Sequence, residues 1–337
     1  MFIKRIITAI SLLMIVAGLT ASETDSLKKY LPRIEGTIRA KYEYNTSLDA
    51  SRFQIRSARF SINGSLSPVT SYKAEIDLSD EGETKMLDAY VRLKPVDWFN
   101  FTIGQQKIPF GTDNLRSPHQ LYFANRSFVG KQLVSGLRDV GATLMFSNRK
   151  ALPFDFQAGV YNGDGLYNQQ DWQKSMNYAF RMEIFPTEYM EISLNYNSVM
   201  PDNLRMNLYD VGAYANFSNL HLEGEYIYKT YQGEVFPATK SYSVFAGYDI
   251  WTNKRFLKKI TPLVRFDSMT DNNKGKPSEG NVYQTDDVAS KRLTGGITFS
   301  LGKPFQNDIR LNYEKYYYAA NHVNSDDKLV LEFVVRF

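Results

Sequence analysis

The sequence predicts an all-β fold: a transmembrane antiparallel β-barrel of about 16 strands, with one long connection folded inward as a constriction loop. Three observations carry this. Apolar and polar residues alternate in short segments from residue 33 to the C-terminus, the period of a strand with one dry and one wet face. Aromatic residues are abundant, with 23 tyrosines and 22 phenylalanines beside only 3 tryptophans, yet the mean hydropathy is −0.38. A soluble domain would bury so many aromatics among aliphatic partners, whereas a barrel sets them in girdles at its two interfaces. Beyond residue 22 no apolar run reaches the length of a transmembrane helix, so lipid could be crossed only by strands closed on themselves.

Taken in order, residues 1–22 (MFIKRIITAISLLMIVAGLTAS) combine a charged start, a short apolar run and small residues near Ala21 and Ser22, which reads as a signal peptide. The barrel domain is then residues 23–337, exported to the outer membrane. In RIEGTIRAKYEYN, Ile34, Gly36, Ile38, Ala40, Tyr42 and Tyr44 alternate with charged or polar residues. The same parity recurs in YKAEIDL, LDAYVRL, FNFTIG, VGATLMF, FDFQAGV, NYAFRMEI, MEISLNY, DVGAYANF, LHLEGEYIY, YSVFAGY, TPLVRFD, LTGGITF and DIRLNYE. Short connections (SPVTS, KPVDW, FPTEY, FSNL) are expected to alternate strictly with long ones (106–138, 162–175, 229–240, 268–288), as between the periplasmic and outer ends of a barrel. Trp98 and Trp251 fall on the short-turn side, where an interfacial indole sits. The chain closes with LVLEFVVRF, whose lipid-facing parity includes Phe337.

Several functions are disfavoured. The chain has no cysteine, and its three histidines, His119, His221 and His322, are too dispersed for a metal cluster. A net charge of +4 gives no basis for a nucleic-acid partner. No GxSxG elbow is present, and His221 shares the lumen parity of Glu223, away from a lipid substrate, so neither an enzyme nor a cofactor is expected. YNGDGLYNQQD reads as a glycine-rich turn, because its spacing fits no EF-hand.

A water-filled pore selects through charges at its narrowest point. Arg39 and Arg92 share the lumen parity of the first and fourth strands. In SRFQIRSARFSINGS the apolar phase changes midway, and a one-residue slip between Arg56 and Arg59 would turn both inward. The long connection QKIPFGTDNLRSPHQLYFANRSFVGKQLVSGLRDVG carries Phe110, Tyr122, Phe123 and Phe128, too many aromatics for a disordered loop. Folded inward, it would bring Arg116, Arg126, Lys131 and Arg138 to the pore. For Arg39, Arg56, Arg59 and Arg92 the alternative is a solvated wall network in which they pair with Glu35, Glu43, Asp77 and Asp88, and for the long connection it is an exposed outer loop.

GQQKIPFG, followed by FANRSF, SGLRDVGA and GVYNGDG, resembles the phosphate-selective porin O/P family of Gram-negative outer membranes. The resemblance implies a 16-stranded barrel, commonly a homotrimer, that passes small anions through a constriction made by an inward loop and basic residues. The family's second-strand arginine pair has Arg56 as its first member, Ser57 at the second place and Arg59 two places on. Its first-strand arginine falls on Thr37, with Arg39 two residues later. General anion passage is therefore expected, with phosphate held weakly. The terminal Phe337 resembles the signal read by the barrel-assembly machinery. Two other functions fit a barrel: a sugar-selective or general porin, whose aromatic track would include YEKYYYAANH, and a non-conducting structural or adhesive barrel.

Overall fold

The computed structural model describes residues 30–133, 138–201, 204–277, 282–302, 305–319 and 326–337. The expected signal peptide, residues 1–22, and His322 lie outside them. The described residues form one closed antiparallel sheet of 16 strands: β1 (Arg33–Asn45), β2 (Ala50–Ser65), β3 (Thr70–Asp80), β4 (Glu83–Val96), β5 (Phe99–Lys107), β6 (Arg138–Asn148), β7 (Phe154–Tyr161), β8 (Asn177–Thr187), β9 (Met190–Val199), β10 (Met206–Phe217), β11 (Leu220–Tyr231), β12 (Thr239–Tyr248), β13 (Leu257–Met269), β14 (Ser290–Leu301), β15 (Gln306–Tyr318) and β16 (Lys328–Arg336). After Asp249, β12 resumes as Ile250–Trp251 against the same neighbour, so it counts as one stave.

Each strand pairs with the next, and β16 pairs with β1 from Thr37↔Arg336 to Asn45↔Lys328, which leaves no open edge. The last rung is made by the terminal residue: Gly36 N–H donates to Phe337 O at 2.8 Å, and Phe337 N–H donates to Gly36 O at 3.0 Å. The Phe337 ring lies over Gly36 and packs edge-on to Phe60 with centroids 6.0 Å apart. The period of two is obeyed on the closing strands. Thr37, Arg39, Lys41 and Glu43 are covered inside the barrel, and Ile34, Ile38 and Phe333 are exposed on its outer face.

The phase change in the second strand is a bulge. Arg39 is level with Ser57 and Ala40 with Ile55, so Arg56 is the extra residue and turns inward together with Ser57 and Arg59. A second bulge at Leu87 separates the pairs Glu75↔Asp88 and Ile76↔Met86. Aromatics ring the outer wall near both ends. Tyr196, Tyr209 and Tyr228 form a row with centroids 5.3 and 6.4 Å apart, and at the short-turn end Trp98 stacks on Phe146 at 6.3 Å while Trp251 Nε1 donates to Asn219 at 3.2 Å.

The connections are less regular than the expected strict alternation. On the long-loop side, those at 46–49 and 81–82 are as tight as the turns at the other end. Glu81 and Gly82 there take positive φ of 59° and 103°, which lets β3 reverse into β4 without a loop.

The long connection after β5 folds into the barrel. Ile108, Phe110, Phe128, Val129 and Leu133 pack against inward Tyr161, Ala179, Leu208, Ile227 and Met269, so one side of the lumen is an apolar core. Tyr161 fills the sheet there: its ring covers Gly141 and Gly159, and its hydroxyl lies 2.7 Å from Thr143 Oγ1. A Cβ on Gly141 would run into the carbonyl of Val160 and the Tyr161 backbone. Gly141→Val is therefore expected to cost ~1–3 kcal/mol from overpacking. Denaturant unfolding in detergent or vesicles checks this; an unchanged midpoint would contradict the contact.

Candidate functional site

A chain segment inside a closed barrel meets walls whose peptide groups are already paired with one another, so side chains must satisfy those of its N–H and C=O groups that its own local turns do not. Residues 108–133 are held in this way. Arg181 donates to Gly111 O (3.0 Å), Lys107 to Leu115 O (2.6 Å), Arg310 to His119 O (3.1 Å), Arg39 to Ala124 O (2.7 Å), Arg265 to Asn125 O (3.0 Å) and Arg292 to Arg126 O (2.7 Å). Carboxylates and amides take the N–H groups. Glu225 accepts from Thr112 N (2.6 Å) and Asp113 N (3.2 Å), and Asn312 Oδ1 accepts from Ala124 N (2.7 Å).

The clamping cations are charge-balanced from behind. Glu332 accepts from Arg39 (2.8 Å) and Arg310 (2.9 Å), while Asp267 accepts from Arg265 (3.0 Å) and Arg292 (2.8 Å). Two of the guanidinium groups also lie over loop rings, Arg265 4.4 Å from the Phe123 centroid and Arg292 4.6 Å from that of Phe128. The loop is thus strapped to β8 and to β11–β16 and β1. Open space remains on the opposite side, along the inner face of β2–β4, where the Arg56, Lys73, Asp80 and Lys85 side chains keep 33%, 25%, 24% and 23% of their surface exposed.

This divides the residues singled out by sequence. Arg39 and Arg116 belong to the strap: Arg39 as above, and Arg116 through a two-pronged pair with Glu223, its guanidinium 5.2 Å from the Tyr122 ring. Arg138 is buried on Asp88 (2.5 Å) and Glu75 (3.2 Å). Arg92 donates to Thr102 Oγ1 at 3.0 Å near the short-turn end of β4. Arg59 is bound to Asp77 (2.9 Å), and Arg56 to Asp80 with Glu81 at 3.4 Å. Of the acids expected in a wall network, Asp77 takes Arg59 and Asp88 takes Arg138, whereas Arg39, Arg56 and Arg116 pair with Glu332, Asp80 and Glu223.

Arg126 and Lys131 differ. Arg126 donates to the carbonyls of Asp113 and of Arg116 (2.6 Å), and among the described residues it forms no ion pair within 4 Å. Burial pushes its guanidinium below the ordinary value; Asp113 opposes the shift, and the nearby charges of Arg59, Arg116 and Arg56 add to it. Lys131 is exposed and forms no ion pair among the described residues.

Sequence reading missed Arg181, Arg265, Arg292 and Arg310, the acids Asp267 and Glu332 that pair with the last three, and the loop acceptor Glu225. The signal was available: each sits at an inward position of an alternating strand segment. If Asp267 anchors the strap, Asp267→Asn leaves two buried guanidinium groups without their shared carboxylate, a loss of ~3–5 kcal/mol. Single-channel traces of the variant are then expected to show new, noisier open levels, and traces as quiet as the parent's would contradict this.

Comparison with known proteins agrees with the architecture. Among solved structures, the chain is similar to the anion-selective porin from Comamonas acidovorans (12% identity, TM-score 0.63, covering 91% of this chain and 98% of that one). It is also similar to the outer membrane channel DcaP of Acinetobacter baumannii (12%, 0.63, 95% and 100%) and to OprB of Pseudomonas putida (12%, 0.64, 94% and 96%). OmpT of Vibrio cholerae, in its trimer form, matches at 11% identity and TM-score 0.61 over 91% of this chain and 98% of that one. At such identities these likenesses establish the fold alone. No curated protein sequence matches the chain. The family model for phosphate-selective porin O and P matches residues 33–202, more than half of the chain. The chain therefore belongs to the phosphate-selective porin O and P family of outer-membrane channels.

Proposed function

We propose that this channel passes small anions through an off-centre constriction between the strapped loop and the inner face of β2–β4. The observation that carries the reading is the Arg126 guanidinium. It is held by backbone carbonyls instead of a carboxylate, and it faces the bulged arginines Arg56 and Arg59 of the opposite wall. Positive charge concentrated in a narrow, low-dielectric passage focuses the field and raises the local concentration of anions, even in a chain of net charge only +4. Lys131 adds a further unpaired charge on the loop. Arg39, Arg116 and Arg138 contribute at longer range through their paired networks, and Arg92 from the short-turn end of β4.

Phosphate is expected to bind only weakly. Thr37 stands level with Arg59, and Ser57 level with Arg39, both buried and inward, so hydroxyls occupy two places where the family resemblance asks for guanidinium groups. A sugar track draws no support from the tyrosines of the stretch at 313–322. Tyr313 and Tyr317 are exposed on the outer face, while Tyr316 lies under Lys328 and Arg292.

The test is the reversal potential across a salt gradient, with chloride conductance titrated by phosphate. The parent channel should prefer chloride and be blocked by phosphate only weakly. Arg56→Gln with Arg126→Gln should lower both the preference and the block by several-fold, since each removes a donor worth ~1.5–3 kcal/mol to a bound anion. A cation-preferring parent would reject the reading.

The same proposal includes export by the signal peptide, assembly in outer-membrane lipid as a homotrimer, and recognition of Phe337 by the barrel-assembly machinery. Because Phe337 makes the last rung of the β16–β1 closure and faces outward, Phe337→Ala should reduce the heat-modifiable, assembled fraction in outer membranes. Parent-like assembly would show that this side chain is dispensable.

A further inference from the structure

A second polar space lies at the short-turn end of the barrel. A cavity of about 160 Å³ lies between the inner faces of β1–β3, Arg336 of β16 and the turn Pro118–Gln120 of the loop. Its walls carry both signs: Arg59, Lys73 and Arg336 against Glu35 and Glu75. The pairs at its edge are not closed. Arg336 is 3.4 Å from Glu35, and the outer nitrogen of Arg59 is 3.7 Å from Glu75, both longer than a hydrogen bond. The pairs behind them are tight, with Arg59 Nε 2.9 Å from Asp77 and Lys73 2.6 Å from Glu75. His119 stands at the same cavity. Its Nε2 is buried and has no hydrogen-bond partner among the described residues. Burial first, and then the charges of Arg336, Arg310 and Lys107, hold its imidazole down to about 4, so the ring is neutral at pH 7.

We propose that this cavity is a binding site for a small zwitterionic amino acid, its carboxylate between Arg59 and Arg336 and its ammonium between Glu35 and Glu75. A simple anion entering it meets two carboxylates, and a simple cation meets three basic groups, whereas a ligand carrying both charges offers a partner to each sign and completes the loose Arg336–Glu35 pair, Glu75 being already held by Lys73 and Arg138. The neutral His119 Nε2 supplies one more polar contact. The space corresponds to about five waters at ~30 Å³ each, which suits a molecule the size of alanine. The site rests on the channel reading in that solute must reach it along the passage; it shares Arg59 with the wall opposite Arg126, while Glu35, Arg336 and His119 belong to it alone.

The experiment uses the full mature channel in planar bilayers, recording chloride current while L-alanine, sodium acetate or ethylammonium chloride is added. Alanine is expected to reduce the current at a concentration about tenfold below either single-charge solute, the gain of one additional charge-assisted contact. Glu35→Gln and Arg336→Gln should each raise the half-effective alanine concentration about tenfold. Alanine no stronger than acetate and ethylammonium in the parent channel would overturn the site without recourse to any variant, as would variants that leave its effect unchanged. The reversal potential read in the same bilayers reports separately on anion preference, so the two proposals fail independently.

Discussion

The structure depends on satisfying the peptide groups of a loop that enters a barrel whose walls have none to spare. Every strand commits its backbone donors and acceptors to its neighbours, because an unpaired edge at membrane depth is too costly. Where the invading segment's own turns do not pair them, its carbonyls must therefore be met by side-chain donors and its N–H groups by side-chain acceptors. Arginine suits the carbonyls, since its planar fork can bond a loop carbonyl and a wall carboxylate together, as Arg39 does with Ala124 and Glu332 and as Arg292 does with Arg126 and Asp267. Glu225 suits the N–H groups, accepting from two in succession.

This explains why the inner face is so heavily charged and yet nearly neutral. The cations under the loop are structural donors with partners, and they leave little free field. Strapping the loop to one side also sets where solute can go. It places an apolar core around Phe110 and Val129 on that side and leaves Arg56, Lys73, Asp80 and Lys85 of β2–β4 partly exposed. On the proposed reading, selectivity falls to the few charges the strap does not consume, Arg126 and Lys131 above all, and to the partly exposed Arg56.

The fold was legible because the barrel leaves a simple periodic record. Lipid demands an apolar residue at every second place, and the wet interior tolerates anything at the others, so RIEGTIRAKYEYN and LVLEFVVRF announce strands without alignment. Even the Arg56 bulge showed as a change of phase. The site was less legible. Inward arginines look the same in sequence whether they face water or a carbonyl, and what decides is where a distant loop comes to rest. Arg39 is covered for that reason, Arg116 is carried by the loop onto Glu223, Arg138 is taken by Asp88 and Glu75 of the wall, and Arg265, Arg292 and Arg310 passed unnoticed although their parity marked them as inward. Loop length misled in a simpler way: a positive-φ pair at Glu81 and Gly82 closes a hairpin where strict alternation called for a longer connection.

The absence of cysteine allows the central claim, a passage confined to the β2–β4 side of a strapped loop, to be tested directly by single-cysteine variants. Lys73→Cys and Lys85→Cys place thiols on the wet wall, whereas Ser241→Cys and Thr294→Cys place them at inward positions that are fully covered. The rate at which a charged, membrane-impermeant thiol reagent reduces the current through each variant is the measurement. Rapid reduction for the first pair and none for the second is the predicted result, and modification of the Ser241 and Thr294 positions as fast as the Lys73 and Lys85 positions would contradict it.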